Sequence, residues 1–218
     1  MAHNYKKIYC PFKRKSDKDV KVDTSIWNRP EFEYLANNEW EWTEKIDGTS
    51  IMVSWDGDKV SIGGHTDTSE IPPLLSKWLS EKFLTPEMET IFEQMFGESE
   101  VKLYGEGISK ETNQNYGFVN GNFVLFDVQI GEFILERKNV IDIAGKIGLD
   151  CVKLVGAGTI YDAVEYVKVP HFSNLDNKTY MEGVVIRPKV ELFMRNGERV
   201  IAKVKVSDIT GHKYTKWE

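Results

Sequence analysis

Trp40-Glu41-Trp42-Thr43-Glu44 alternates apolar and polar side chains, the signature of a strand with one buried face. Strand signals of this kind recur along the chain and constrain its fold more than any other feature. Thr49 to Trp55 is β-branched and apolar, and Asp56-Gly57 turns it into a second strand ending at Ile62. Further strand signals lie at 100–106, at 122–130 and from Met181 to Pro188. Leu192 to Arg195, Asn196-Gly197 and Arg199 to Val206 read as a hairpin. Helical periodicity comes instead in blocks. Residues 73–96 fit one or two helices broken near Thr85-Pro86, and 136–147 places Val140, Ile143, Ala144 and Ile147 on one face before a stop at Gly148. Thr159, with Asp162 three residues on, caps a helix running to Lys168. Strands in runs with inserted helical blocks predict an α+β chain of antiparallel β-sheets flanked by helices, not a doubly wound fold. Residues 1–39 are polar and irregular by comparison.

At 218 residues, 41% apolar and 28% charged, the chain has an ordinary globular composition. One domain over 1–218 is expected, with 1–24 as a basic N-terminal segment. No run approaches the ~18 apolar residues of a membrane span, so no membrane partner is expected. The N-terminus lacks a secretory apolar stretch, and two cysteines, Cys10 and Cys151, exclude a disulfide framework or a four-cysteine zinc site. A reducing cytoplasmic setting is the expectation. The net charge of −6 hides a pattern: residues 6–21 carry seven Lys/Arg against Asp17 and Asp19, and 184–218 carry eight against four acids. Between them stand 13 basic and 28 acidic residues. Basic ends suit a polyanion and an acidic middle can supply carboxylates for metal ions.

Several familiar sites are absent: a Gly-rich loop ending Gly-Lys-Ser/Thr, a His-Glu-x-x-His helix and a Gly-x-Ser-x-Gly elbow. What stands out is Lys45-Ile46-Asp47-Gly48, a lysine at a strand end beside a glycine that lets backbone approach a ligand. A lysine amine is a nucleophile when nearby cations or desolvation lower its pKa. Further along stand Tyr104-Gly105-Glu106-Gly107, Phe126-Asp127 in an apolar strand, Glu182-Gly183-Val184-Val185-Ile186, and Ala202-Lys203-Val204-Lys205 with its lysines on one strand face. Each alone fits a surface charge or core residue; together, in this order, they form a constellation.

That series resembles the covalent nucleotidyltransferases, the superfamily of polynucleotide ligases and mRNA capping enzymes, and most closely the ATP-dependent RNA ligases of the phage RNA-repair type. Gly63-Gly64-His65-Thr66-Asp67-Thr68, followed by Ile71-Pro72, is similar to a stretch in small stand-alone members. The resemblance covers roughly 25–207. It implies an ATP-grasp-like ligase adenylation domain in which Lys45 attacks the α-phosphate of ATP and becomes lysyl-AMP. AMP then passes to an RNA 5′-phosphate and is displaced by a 3′-hydroxyl. It implies Lys203 and Lys205 at the triphosphate, Glu182 as the leading carboxylate for Mg²⁺ (or Mn²⁺) with Asp127 in support, and Glu106 on the ribose. Phe126 would stack on adenine, Ser50 would lie near phosphate or sugar, and Gly48 and Val184 would line the nucleotide site. Backbone near Glu44 and Ile46 would choose the base. The preference for adenine over guanine rests on the resemblance alone.

Two departures carry expectations. The family usually has arginine where this chain has His65, and a mostly neutral imidazole cannot copy a bidentate guanidinium contact. Strand sealing should suffer from this more than self-adenylation, unless a neighbour such as Lys110 compensates. Only a short stretch follows Lys205, so no OB-fold domain is expected, and the basic ends would help grip RNA in a monomer. Alternative readings are a minimal DNA ligase, a GTP-dependent capping enzyme, or a non-catalytic RNA-end-binding module with the same fold. The bacterial cell or phage-infected host would be the setting.

Overall fold

The structure, a computed structural model, describes residues 5–64 and 70–214. Its strands are β1 (Phe12–Lys13), β2 (Asp23–Trp27), β3 (Trp40–Lys45), β4 (Thr49–Trp55), β5 (Val60–Gly63), β6 (Val101–Ile108), β7 (Asn122–Ile130), β8 (Phe133–Ile134), β9 (Asp150–Cys151), β10 (Leu154–Gly158), β11 (Gly183–Pro188) and β12 (Ala202–Lys205). Its helices are α1 (Pro30–Tyr34), α2 (Pro73–Phe83), α3 (Pro86–Phe96), α4 (Arg137–Ile147), α5 (Ile160–Val167) and α6 (Val206–Thr210). The fold is α+β with antiparallel sheets, as expected; among the named strand pairs only β7 and β9 run parallel. No helix among the described residues is long and apolar enough to cross a membrane.

The chain divides into two compact units, one holding Asp47–Val152 with Tyr5, the other Lys6–Ile46 and the chain from Lys153 onward. In the first, a sheet in the order β5-β4-β6-β7-β8 carries β9 beside β7. Alternate residues Ile51, Val53 and Trp55 of β4 and Leu103 of β6 pack with Leu75, Leu79 and Phe83 of α2 and Phe92 of α3. The sheet's other face carries Ser50 and Glu106, which pair directly across β4 and β6, and Tyr104 opposite Asp127. Thr85 caps α3, its hydroxyl accepting from Met88 N–H at 3.2 Å, and Pro86 begins the helix, which is why the 73–96 block splits there.

In the second unit the order is β10-β3-β11-β12. Trp40 and Trp42 of β3, Val184 and Ile186 of β11 and Val204 of β12 face Ile160, Val164 and Val167 of α5. The Thr159–Asp162 capping box is present and starts α5. Burying these side chains stabilises each unit by ~25 cal/mol per Å² of apolar area removed from water.

Two expectations change. The 192–206 hairpin is shorter than expected: Phe193 bridges Arg199 around a left-handed Gly197 (φ 77°), flanked by Met194 N–H donating to Glu198 C=O at 2.6 Å and Val200 N–H to Leu192 C=O at 2.8 Å. Ala202–Lys205 pairs instead with Gly183–Ile186. The fully buried Ala202 and Val204 gain a covered face against α5 that a two-stranded ribbon cannot give them. Residues 6–39 are also more ordered than their polarity suggests. β1 pairs with β2, Tyr9 bridges Ala202 in parallel, and Lys203 N–H donates to Tyr9 C=O at 3.0 Å. The basic run is partly neutralised within the unit, Arg14 by Asp208 at 2.9 Å and Lys15 by Asp23 at 3.2 Å.

Candidate active site

The second unit gathers the charged residues that the sequence singles out. β11 lies between β3 and β12, and Gly183 is opposite both Lys45 and Lys205. Glu182, one residue before β11, therefore reaches both lysines. Lys45 Nζ lies 2.5 Å from Glu182 Oε2, and Lys205 Nζ pairs with Oε1. Val185 faces Lys203 across β11 and β12, so Lys203 lies on the same sheet face as Lys205 and Lys45. Gly183 makes this geometry possible: a Cβ there would overlap the Val204 carbonyl oxygen and lie 2.7 Å from Lys205 Cα.

Glu182 is 5% exposed at its side chain, against 20% for Lys45 and 27% for Lys205. Burial alone would push its carboxyl up, but the two lysines outweigh burial and hold it below the usual carboxylate range. Lys203 is held below the ordinary lysine range, first by burial and then by the charges of Lys45 and Lys205. Three lysines around one carboxylate leave net positive charge on a partly buried face, an arrangement suited to a polyphosphate.

Period two places the other residues of the unit differently. Glu44 and Val184 pair across β3 and β11 on the face opposite Lys45. Val184 is fully buried in the apolar core, so its side chain does not share the face of the lysines. Glu44, 2% exposed, accepts from the Asn174 backbone N–H at 2.9 Å and from its side-chain amide at 3.2 Å. It tethers the loop that leads to Glu182. Asn174 had no signal in the sequence, being one polar residue in a polar turn. Ile46 is also buried, at 4%, and its C=O accepts from Lys45 Nζ at 3.5 Å.

In the first unit Glu106, Ser50, Asp127 and Phe126 belong to one sheet. Gly48 N–H donates to Glu106 Oε1 at 3.1 Å. A Cβ at Gly48 would overlap the Gly107 carbonyl oxygen, so the close approach needs glycine. Asp47 is held at both backbone groups: its N–H donates to Tyr116 Oη at 3.4 Å, and its C=O accepts from Asn113 Nδ2 at 3.0 Å. Phe126 is the extra residue of a β-bulge, since Tyr104 pairs with Asp127 and Gly105 with Leu125. The bulge leaves Phe126 half-buried while Phe123, Leu125 and Val128 remain in the core. Asp127 is fully buried and accepts a hydrogen bond from the Tyr5 hydroxyl. His65 lies outside the described residues.

Three lysines on one sheet face around a buried carboxylate, on an α+β fold of antiparallel sheets, form a cationic surface of the kind that attracts phosphate groups. Comparison makes the class specific: the model of the RNA ligase family matches residues 38–205, and the chain belongs to that family. No curated protein matches it. Solved structures of Naegleria gruberi RNA ligase are similar in fold. An apo variant gives a TM-score of 0.62 at 16% identity over 95% of this chain and 61% of that one. The complex with PPi gives 0.60 at 17% over 93% and 59%. A variant with ATP and Mn gives 0.60 at 17% over 91% and 57%. The chain spans roughly three-fifths or less of the length of these ligases.

Proposed function

We propose that this chain is an ATP-dependent RNA ligase that joins a 5′-phosphate to a 3′-hydroxyl through lysyl-AMP at Lys45. The observation that carries the proposal is the grouping of Lys45, Glu182, Lys203 and Lys205 on one sheet face. Membership of the RNA ligase family supports it, as do solved relatives in fold that hold ATP with Mn or PPi. The family match spans residues of both units and supports a reading in which the whole chain acts as one adenylation domain.

The chemistry runs in three displacements. The Lys45 amine attacks the α-phosphorus of ATP; the bond to the β-phosphate oxygen breaks, pyrophosphate leaves, and the amine loses a proton. An RNA 5′-phosphate oxygen then attacks the same phosphorus, the N–P bond breaks, and the amine regains its proton. Finally the 3′-hydroxyl attacks the RNA phosphorus and loses its proton; the phosphoanhydride bond to AMP breaks, AMP leaves, and the phosphodiester closes. In the resting ion pair with Glu182, Lys45 is an ammonium and cannot attack. Drawing Glu182 away leaves Lys45 beside two cations, which favour the neutral amine. Lys203 and Lys205 then neutralise charge building on the departing pyrophosphate.

The donor set also fits a divalent ion. No group of three or more His, Cys, Asp or Glu among the described residues could cage one. Mg²⁺, with Mn²⁺ as substitute, is ordinarily held by one or two carboxylates with phosphate oxygens and waters, and Glu182, kept ionised, is the carboxylate available. Such an ion would supply further charge neutralisation at the phosphates. Glu106 would take the ribose hydroxyls, Phe126 the face of the base, and Ser50 and Gly48 the sugar–phosphate side.

Incubation with α-labelled ATP or GTP and Mg²⁺, followed by a denaturing gel and peptide mass analysis, tests the reading. Label from ATP should remain covalently attached at Lys45. Label from GTP alone would make the chain a capping-type enzyme, and no label from either would make it a binding module. Joining of single-stranded and nicked RNA should weaken as salt rises, because Lys7, Lys13, Lys18 and Lys21 add to the field that meets the phosphates. Joining that is indifferent to salt at saturating ATP would remove that role from the basic segment.

A further inference from the structure

Asp127 is the most deeply buried acid among the described residues of the first unit, at 0% exposure, and a carboxylate is costly to bury without partners. Its partner comes from the other end of the sequence. The Tyr5 hydroxyl donates to Asp127 Oδ2, 122 positions away. The Tyr5 ring packs on two neighbours of that carboxylate. It lies 4.9 Å from the Tyr104 ring, tilted by 52°, and 5.2 Å from the Phe126 ring at 66°. Burial and the charges of Asp127 and Glu100 push the Tyr104 phenol up to about 12, so it stays protonated beside them. Phe126 is the bulged residue of β7, and a bulge frees a side chain from the ladder without fixing where it points. The Tyr5 ring supplies a wall beside it.

We infer that Tyr5 is a positioning residue for nucleotide binding: Asp127 anchors its hydroxyl, and its ring holds Phe126 in the orientation that receives the base. This gives Asp127 a different task from the metal support that the sequence suggests. A fully buried carboxylate engaged by a phenol anchors a side chain more readily than it meets a hydrated ion. The inference rests on the reading that Phe126 stacks on the base. An edge-to-face ring contact adds to ring burial, so its loss should weaken ATP binding without altering the groups at the phosphates.

The test measures self-adenylation over a range of ATP concentrations, together with melting temperatures, for wild type, Tyr5→Leu, Tyr5→Phe, Phe126→Ala and the Tyr5→Leu/Phe126→Ala double variant. Tyr5→Leu should raise the KM for ATP by about five- to tenfold with kcat nearly unchanged. Tyr5→Phe keeps the ring and loses only the anchor, so its KM should rise by about two- to threefold. In the Phe126→Ala background Tyr5→Leu should add nothing, because the ring it positions is gone. Full additivity in the double variant, or an unchanged KM in folded Tyr5→Leu, overturns the inference while leaving the ligase reading intact. So does an Asp127→Asn protein that loses kcat and recovers it with raised Mn²⁺, since that is the behaviour of a metal ligand. Wild-type protein that takes no label from any nucleoside triphosphate rejects the ligase reading and this inference with it.

Discussion

Glu182→Gln should lower AMP transfer to Lys45 by about 10³-fold and, in metal-free buffer, bind inorganic pyrophosphate about tenfold more tightly than wild type. The two effects have one cause. Glu182 now offsets two of the three lysines on its face. Glutamine keeps the shape but removes the charge, so Lys45, Lys203 and Lys205 meet an anion without this carboxylate competing for them. The same change strips the carboxylate that suits a divalent ion. The fold should also respond. Removing the shared partner leaves crowded like charges and costs on the order of 2 kcal/mol, less than a deep ion pair because the lysines are part-exposed. Lys45→Ala should abolish label but melt closer to wild type, since Glu182 retains Lys205. The pH dependence separates the variants. The Glu182 carboxyl titrates below its unfolded value of 4.5, so its contribution to stability is complete above that pH and is lost as pH falls through the depressed native value. Glu182→Gln should lack that acid limb. Isothermal titration with pyrophosphate and melts between about pH 3 and 7 check both halves. Weaker pyrophosphate binding by Glu182→Gln without metal would mean that Glu182 organises the lysines instead of competing for them.

Much of this face was legible because strands translate sequence spacing directly into geometry. Lys203 and Lys205 are two apart, so they had to share a face. The alternating run at Trp40–Lys45 had to bury its tryptophans, and it does. What pairs with what was less legible. Nothing in the run from Arg199 to Lys205 distinguishes a local ribbon with Leu192–Arg195 from a ladder with Gly183–Ile186. The choice falls to the latter because only that sheet has α5 to cover Val204 and Ala202. β10 passed unnoticed for a related reason. Leu-Val-Gly-Ala-Gly is a poor strand by composition, but Gly156 lets the backbone lie against the Trp42 indole, where any Cβ would overlap the ring.

Side-chain direction was the harder part of the site. Val184 stands in the motif that carries Glu182, yet alternation sends it into the core with Glu44, while Glu182 turns toward Lys45 and Lys205. Phe126 and Asp127 would point to opposite faces in a regular strand; the bulge between Tyr104 and Gly105 breaks that phase, and no residue in Phe-Val-Leu-Phe-Asp-Val announces it. Tyr5 and Asn174 lie outside every motif. Each is one polar or aromatic residue whose partner, Asp127 or Glu44, is more than a hundred positions distant. Tertiary contacts of that range leave no local trace in a single sequence.

Lys203→Met should make the protein more stable and a poorer enzyme. Lys203 is held below its ordinary range by burial, by Lys45 and by Lys205, with Glu182 and Asp208 pulling the other way. A base whose native pKa is lowered binds protons more weakly in the folded chain than in the unfolded one. Its charge therefore opposes folding below the native value, and that penalty is relieved as pH rises toward the unfolded value of 10.5. Methionine keeps the length of the stem and removes the charge, so at pH 7 the variant should be the more stable, by less than a fully buried cation would release because solvent screens a part-exposed one. The gain should shrink in melts taken as pH rises toward 10.5, where the wild type recovers its own deficit. Adenylation should fall by about 10²-fold at saturating ATP, the usual scale for one preorganised charge at a developing anion. The lysine is then a case of stability given up for a charge that only the reaction uses. If Lys203→Met were less stable than wild type at pH 7 and its deficit did not change with pH, the strain assigned to this cation would not exist. The polyphosphate site would then have to be built around Lys45 and Lys205 alone.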